Sequence, residues 1–173
     1  WVIVHGDTST TLAASIASFY ERVKVIHVEA GLRTGNNYEP WPEEMNRRLT
    51  GLLTTIHFAP TEQAKCNLLK EGVNGESIIV TGNTVIDALL EIVKKIRKNS
   101  VLEKKLASQF DFLNTQKRLI LVTGHRRENF GDGFKQVCQA LQRIAQRNDV
   151  EIIYPVHLNP NVCKPVSQML ANC

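Results

Sequence analysis

Short apolar runs alternate with longer stretches of helical spacing along the whole chain. Val2–His5 is an apolar, β-branched run. Thr8–Tyr20 follows, with Leu12, Ile16, Phe19 and Tyr20 at helical spacing and Thr and Ser oxygens to cap its start. Val23–Val28 is the second apolar run, so these three elements predict a β-α-β unit. The next stretch, Glu29–Trp41, is irregular and rich in Gly, Asn and Pro. It is long for a connection in a compact α/β unit, which marks it as functional. Pro42 suits the start of a helix that runs to about Leu53, with Glu43 and Glu44 at the positive end of its dipole. A strand over Thr55–Ala59, a helix from Thr61 to about Glu71 stopped by Gly72, and a strand over Ser77–Val80 come next. Thr81-Gly82-Asn83 then turns into a helix lined on one face by Ile86, Leu89, Val93 and Ile96.

The segment Asn99–Lys117 is polar, mixed in charge and only weakly periodic, and a domain boundary is placed there, dividing the chain into 1–98 and 99–173. Beyond it the pattern repeats. Arg118–Val122 is a buried strand, T-G-H-R-R-E-N-F-G a polar loop, and Phe134, Val137, Leu141 and Ile144 mark a helix. Glu151–Tyr154 is the next strand, leading through P-V-H-L-N-P-N into a last helix. Alternating β and α throughout predicts an α/β protein of two doubly wound sheets. Trp1 inside a strand and Cys173 inside a helix predict an internal piece of a longer protein.

Where the apolar runs end, ionisable residues begin: His5 and Asp7 after the first, His27 and Glu29 after the second. In a parallel sheet these positions fall together at the carboxyl edge, where such folds bind ligands. Asp7 has an ordinary alternative as the N-cap of the following helix. Glu29 is harder to dismiss, since Ala-Gly follows it directly after a buried strand and no helix begins there to be capped. Glu43 has an ordinary alternative as a dipole partner in a first turn. Three carboxylates near one sheet edge suit general acid and base roles, because like charges crowded together shift one another's pKa values. His125 follows the first strand of the second half and leads into Arg126, Arg127 and Glu128. That run reads either as a polar surface loop or as an anion-binding loop with two guanidiniums for a phosphate. His157 holds the matching position after the next strand. His5 and His27 are weaker candidates, each able simply to hydrogen-bond loop backbone.

Composition changes this picture little. The 173 residues are 43% hydrophobic and 22% charged with a net charge of +4, ordinary for a soluble globular chain. The only basic cluster, Lys94, Lys95, Arg97, Lys98, Lys104 and Lys105, lacks interleaved aromatics and reads as a solvated face rather than a nucleic-acid patch. The positive balance suits an anionic small molecule. Cys66, Cys138, Cys163 and Cys173 are widely spaced, with no metal-binding pattern, which fits idle thiols in a reducing cytosol. No apolar run approaches the roughly 20 residues that span a bilayer. H-G-D, G-N and G-H fragments partly match the ligand pattern of dinuclear metallophosphoesterases. Thr10 and Thr84 stand where that pattern needs an acidic residue and a histidine, so no metal is expected. There is no Walker loop and no GxGxxG.

Taken together, H-G-D-T-x-T-T, H-V-E-A-G-L-R-T-G, P-W-P-E-E-x-N-R, T-G-N-T-V-I-D-A-L, V-T-G-H-R-R-E-N and Y-P-V-H-L-N-P resemble the bacterial non-hydrolysing UDP-N-acetylglucosamine 2-epimerases, end to end and in the family's order. The resemblance implies two Rossmann-like domains facing a cleft, glycosyltransferase-B-like, both incomplete in this chain. It implies interconversion of UDP-GlcNAc and UDP-ManNAc by elimination of UDP through 2-acetamidoglucal and re-addition. By motif match, Asp7, Glu29 and Glu43 correspond to the family's catalytic carboxylates and His125 to its active-site histidine. Arg126, Arg127, Glu128 and His157 fall near nucleotide-sugar, some of them facing a second, activating UDP-GlcNAc. A cytoplasmic homodimer with no cofactor, no nucleic acid and no membrane completes what the likeness implies. The family's opening G-T-R-P-E loop and its later Ser-Gly-Gly segment lie outside this sequence, so these residues alone are not expected to turn over substrate. Two other readings stay open at this point: a hydrolysing relative that releases ManNAc and UDP, and a non-catalytic nucleotide-sugar binding module. A retaining glycosyltransferase of the same architecture is a further variant, though no acceptor site is visible.

Overall fold

In the computed structural model, which describes residues 1–124 and 130–171, the apolar runs pair as parallel strands. The chain divides into two units, Trp1–Lys95 and Ile96–Cys173. The first holds β1 (Val2–His5), α1 (Ser9–Tyr20), β2 (Val25–Val28), α2 (Glu43–Leu53), β3 (Ile56–Ala59), α3 (Glu62–Lys70) and β4 (Ile78–Val80). The helix α4 (Thr84–Lys98) leads out of it. The second holds α5 (Ser100–Ala107), β5 (Arg118–Leu121), α6 (Asp132–Ala145), β6 (Val150–Ile153) and α7 (Pro160–Leu170).

In the first unit the strands lie in the order β1-β2-β3-β4. Strands added in one direction by right-handed crossovers put their connecting helices on a single face, so these four form one wing of a wound sheet. The register carries the consequence across the sheet. Val4, His27, His57 and Ile78 stand in one row, all buried beneath the helices. Ile3 and Ile79, on the opposite face, are 67% and 48% exposed. Ala64 and Leu68 of α3 pack with Ala30, Ala59 and Ile78 into an apolar cluster of the unit. In the second unit β5 and β6 pair in parallel, and Phe134 and Cys138 of α6 pack on Val162 and Val166 of α7. Among the described residues no helix is long and apolar enough to cross a membrane.

Three expectations from the sequence are corrected. The segment after Asn99, read as weakly periodic, contains α5, started by the Asn99 side chain accepting from Leu102 N–H at 3.0 Å. Eight residues with no buried position give too little pattern to read. His27 does not stand at the strand's end; it lies inside β2 at 1% exposure, with Nε2 2.7 Å from the Gly6 carbonyl oxygen. Third, α1 turns its small hydroxyl residues inward. Thr11, Ser15 and Ser18 are buried while Ile16, Phe19 and Tyr20 are exposed. Small side chains let α1 lie close to its neighbours, and each hydroxyl is satisfied by a nearby carbonyl: Thr11 to His5 O, Ser15 to Thr11 O and Ser18 to Ala14 O.

The same inversion recurs in α2. Its buried residues are Glu44, Asn46, Arg47 and Thr50, whereas Met45, Leu49 and Leu52 are exposed. A helix that puts its polar stripe inward gives up apolar burial, so those polar groups must be held by specific partners. Glu44, Asn46 and Arg47 find theirs at the carboxyl edge of the sheet.

Candidate active site

Asp7 lies two residues beyond β1 and Glu29 immediately beyond β2, side by side at the carboxyl edge because Gly6 N–H extends the ladder to Val28 O at 3.1 Å. The N-cap of α1 is Thr8, whose side chain accepts from Thr11 N–H. Asp7 is therefore not spent on capping. Glu29 holds a left-handed backbone at φ +70°, a conformation a non-glycine residue adopts at a cost. That twist brings Oε2 to 3.6 Å from His5 Nε2 and over Gly6, where a Cβ would meet it at 3.5 Å. Both carboxylates remain accessible, Asp7 at 32% and Glu29 at 28% of the side chain.

Glu43 opens α2. Its Oε2 is buried and has no hydrogen-bond partner among the described residues. A carboxylate oxygen shielded from water and left without a donor is a place for a ligand to complete. One turn further on, Arg47 Nη2 donates to Asp7 Oδ2 at 2.7 Å and Nε donates to the Glu43 carbonyl at 3.4 Å. Asn46 Nδ2 donates to the Asp7 carbonyl at 2.9 Å. Through Arg47, the first turns of α2 thus link the backbone of Glu43 to the carboxylate of Asp7, while the ladder between β1 and β2 sets Asp7 and Glu29 at neighbouring strand ends.

The irregular stretch 29–41 is held in place from three sides. Glu44, fully buried, accepts from Thr34 N–H at 3.1 Å and Gly35 N–H at 3.4 Å. Asn67 of α3 donates to Gly31 O at 3.0 Å. Arg33 forms a bidentate pair with Glu71, 2.8 and 2.7 Å, and these hydrogen bonds hold the Glu71 carboxyl below its usual range. Two imidazoles, His27 of β2 and His57 of β3, stand in register and are buried. Burial pushes both below the ordinary histidine pKa, His57 to about 4, and the Arg33 charge adds to it. Burial thus favours the neutral imidazole of His57 at pH 7.

Sequence reasoning missed Glu44, Asn46, Arg47 and His57. A signal for three of them was present: E-E-x-N-R follows a helix start and sets polar residues at helical spacing, but an amphipathic pattern is ordinarily read with its apolar side inward. In the second unit His157 lies beyond β6, with Nδ1 accepting from Asn159 N–H at 3.1 Å. His125, Arg126, Arg127 and Glu128 lie outside the described residues.

A protein-family model described as UDP-N-acetylglucosamine 2-epimerase matches residues 1–173, the whole chain. The chain belongs to the UDP-N-acetylglucosamine 2-epimerase family. Among curated members it is 58% identical over 172 residues to the UDP-N-acetylglucosamine 2-epimerase of Salmonella typhimurium and 55% identical to that of Escherichia coli K12. Each alignment takes in 99% of this chain and 46% of the relative. The crystal structure of the Neisseria meningitidis UDP-GlcNAc 2-epimerase, bound to UDP-GlcNAc, superposes with a TM-score of 0.93 at 48% identity, over 99% of this chain and 46% of that one. The Methanocaldococcus jannaschii enzyme in complex with UDP-GlcNAc and UDP matches at a TM-score of 0.75 and 35% identity, over 97% of this chain and 44% of that one. The chain thus spans about half the length of the family members it matches. These matches agree with the α/β architecture expected from the sequence.

Proposed function

We propose that the protein to which this chain belongs interconverts UDP-GlcNAc and UDP-ManNAc by eliminating and re-adding UDP at a site that includes Asp7, Glu29 and Glu43. The observation that carries this reading is the convergence just described: two accessible carboxylates at adjacent strand ends, and a third on the helix turn that grips the first.

The chemistry explains why such a cluster is useful. The C2 hydrogen of the hexose is not acidic, so a base alone removes it slowly. When the C1–O bond to the diphosphate breaks as the C2 proton leaves, the electrons of the C–H bond form C1=C2 and UDP departs with the C1–O pair. The product is 2-acetamidoglucal. Returning a proton to C2 from the opposite face, as UDP re-forms its bond to C1, gives the epimer. One group must take a proton on one face of the ring and another must give one on the other, so at least two acid–base side chains are needed. Asp7, Glu29 and Glu43 supply that number. The departing diphosphate needs cationic stabilisation, assigned to Arg126 and Arg127, with His125 as the active-site histidine and Glu128 and His157 toward the nucleotide-sugar.

The reading is tested by incubating the product of the full reading frame with UDP-GlcNAc and following both sugars by NMR. UDP-ManNAc should grow in without free UDP. Accumulation of UDP in step with ManNAc, or binding without any conversion, would contradict it.

A further inference from the structure

Asp7 is held entirely from a different element. Its carboxylate Oδ2 receives Arg47 Nη2 at 2.7 Å and its main-chain carbonyl receives Asn46 Nδ2 at 2.9 Å, both from α2. Arg47 is itself fixed on three sides: by Asp7, by the Glu43 carbonyl at 3.4 Å, and by Glu44 Oε2 at 3.7 Å. Its side chain is only 10% exposed.

An ion pair on the surface would contribute little and would leave the arginine mobile. A guanidinium this buried costs desolvation and side-chain entropy, which is repaid in geometry when its planar fork has several fixed acceptors. The fork here has them. Among the described residues only Oδ2 of Asp7 is taken, so the pair sets the rotation of the carboxylate and leaves Oδ1 uncommitted. We infer that Arg47 is a positioning residue for Asp7, with Asn46 as its main-chain counterpart, so that α2 aligns two of the site's carboxylates: Glu43, which it carries, and Asp7, which it grips. This inference rests on the functional reading above.

The full reading frame serves for the test, with Arg47→Met, Arg47→Lys, Asp7→Asn and the double variant Asp7→Asn/Arg47→Met. Misplacing a catalytic group by about 1 Å costs on the order of 100-fold. Arg47→Met should therefore lower kcat about 100-fold with KM changed by less than about threefold. Arg47→Lys should recover part of that loss, because one donor returns without the fork. The double variant should be no slower than Asp7→Asn, since nothing remains to be positioned. Losses that multiply in the double variant, or an Arg47→Met kcat that falls only with the fraction unfolded at the assay temperature, would overturn the inference. So would an Arg47→Lys protein with wild-type kcat, a readout that stands if Arg47→Met does not fold. An inactive Asp7→Asn beside a fully active Arg47→Met refutes the positioning role and leaves the functional reading intact. A fully active Asp7→Asn, or a wild-type protein without epimerisation, refutes the functional reading and this inference with it.

Discussion

Replacing Glu29 by glutamine should cut kcat for epimerisation by about 1,000-fold, within the range general acid–base groups contribute. The substitution keeps the side chain's size and removes only its ability to carry a proton. It should be almost silent in stability. Glu29 is 28% exposed, its contact with His5 is a loose 3.6 Å, and glutamine meets the same φ of +70°. Steady-state kinetics beside a thermal melt separates the two effects. A kcat within tenfold of wild type, in a protein of unchanged melting temperature, would remove Glu29 from the chemistry.

The second large effect is on stability and lies two residues away. Gly31 has φ +88°, and a Cβ built on it would lie 2.3 Å from the Ala64 carbonyl oxygen of α3. Backbone cannot rotate aside as a flexible side chain would. Gly31→Ala should therefore cost about 3 kcal/mol, the sum of a left-handed backbone penalty and overpacking. That is a large part of what a domain this size has to spare. Gly35 is the control: its φ is +83° but nothing lies within 4 Å of its added Cβ, so Gly35→Ala should lose about 1 kcal/mol. Urea unfolding midpoints at unchanged m measure both. A Gly31→Ala loss no larger than the control's would mean that α3 does not pack tightly over the turn that carries Glu29.

How far such features could be read in advance differs from residue to residue. The carboxyl-edge positions of Asp7 and Glu29 were legible because a short β-branched run ending in a charged residue fixes where a buried strand stops. Only the structure frees Asp7 from the capping alternative, since Thr8 does that work. The faces of α1 and α2 were not legible. Periodicity gives a helix and its two sides, but the rule that the apolar side goes inward fails when the inner layer must satisfy buried polar groups. Thr11, Ser15 and Ser18 in one helix, and Glu44, Asn46 and Arg47 in the other, are such cases. The burial of His27 and His57 is a tertiary fact of the same kind: an imidazole in an apolar strand has two faces open to it, and register decides between them. The loop 29–41 was recognisable as long and Gly/Pro-rich, while its anchoring by Glu44, Asn67 and Arg33–Glu71 depends on partners far away in sequence.

The central claim is that carboxylates clustered at this sheet edge take a proton from C2 of the hexose and return one to it. The fate of that hydrogen measures it most directly. UDP-GlcNAc incubated in deuterated water with the product of the full reading frame should gain deuterium at C2, in the epimer formed and, as the reaction runs back, in the remaining substrate. Epimerisation with the C2 hydrogen fully retained would contradict the account.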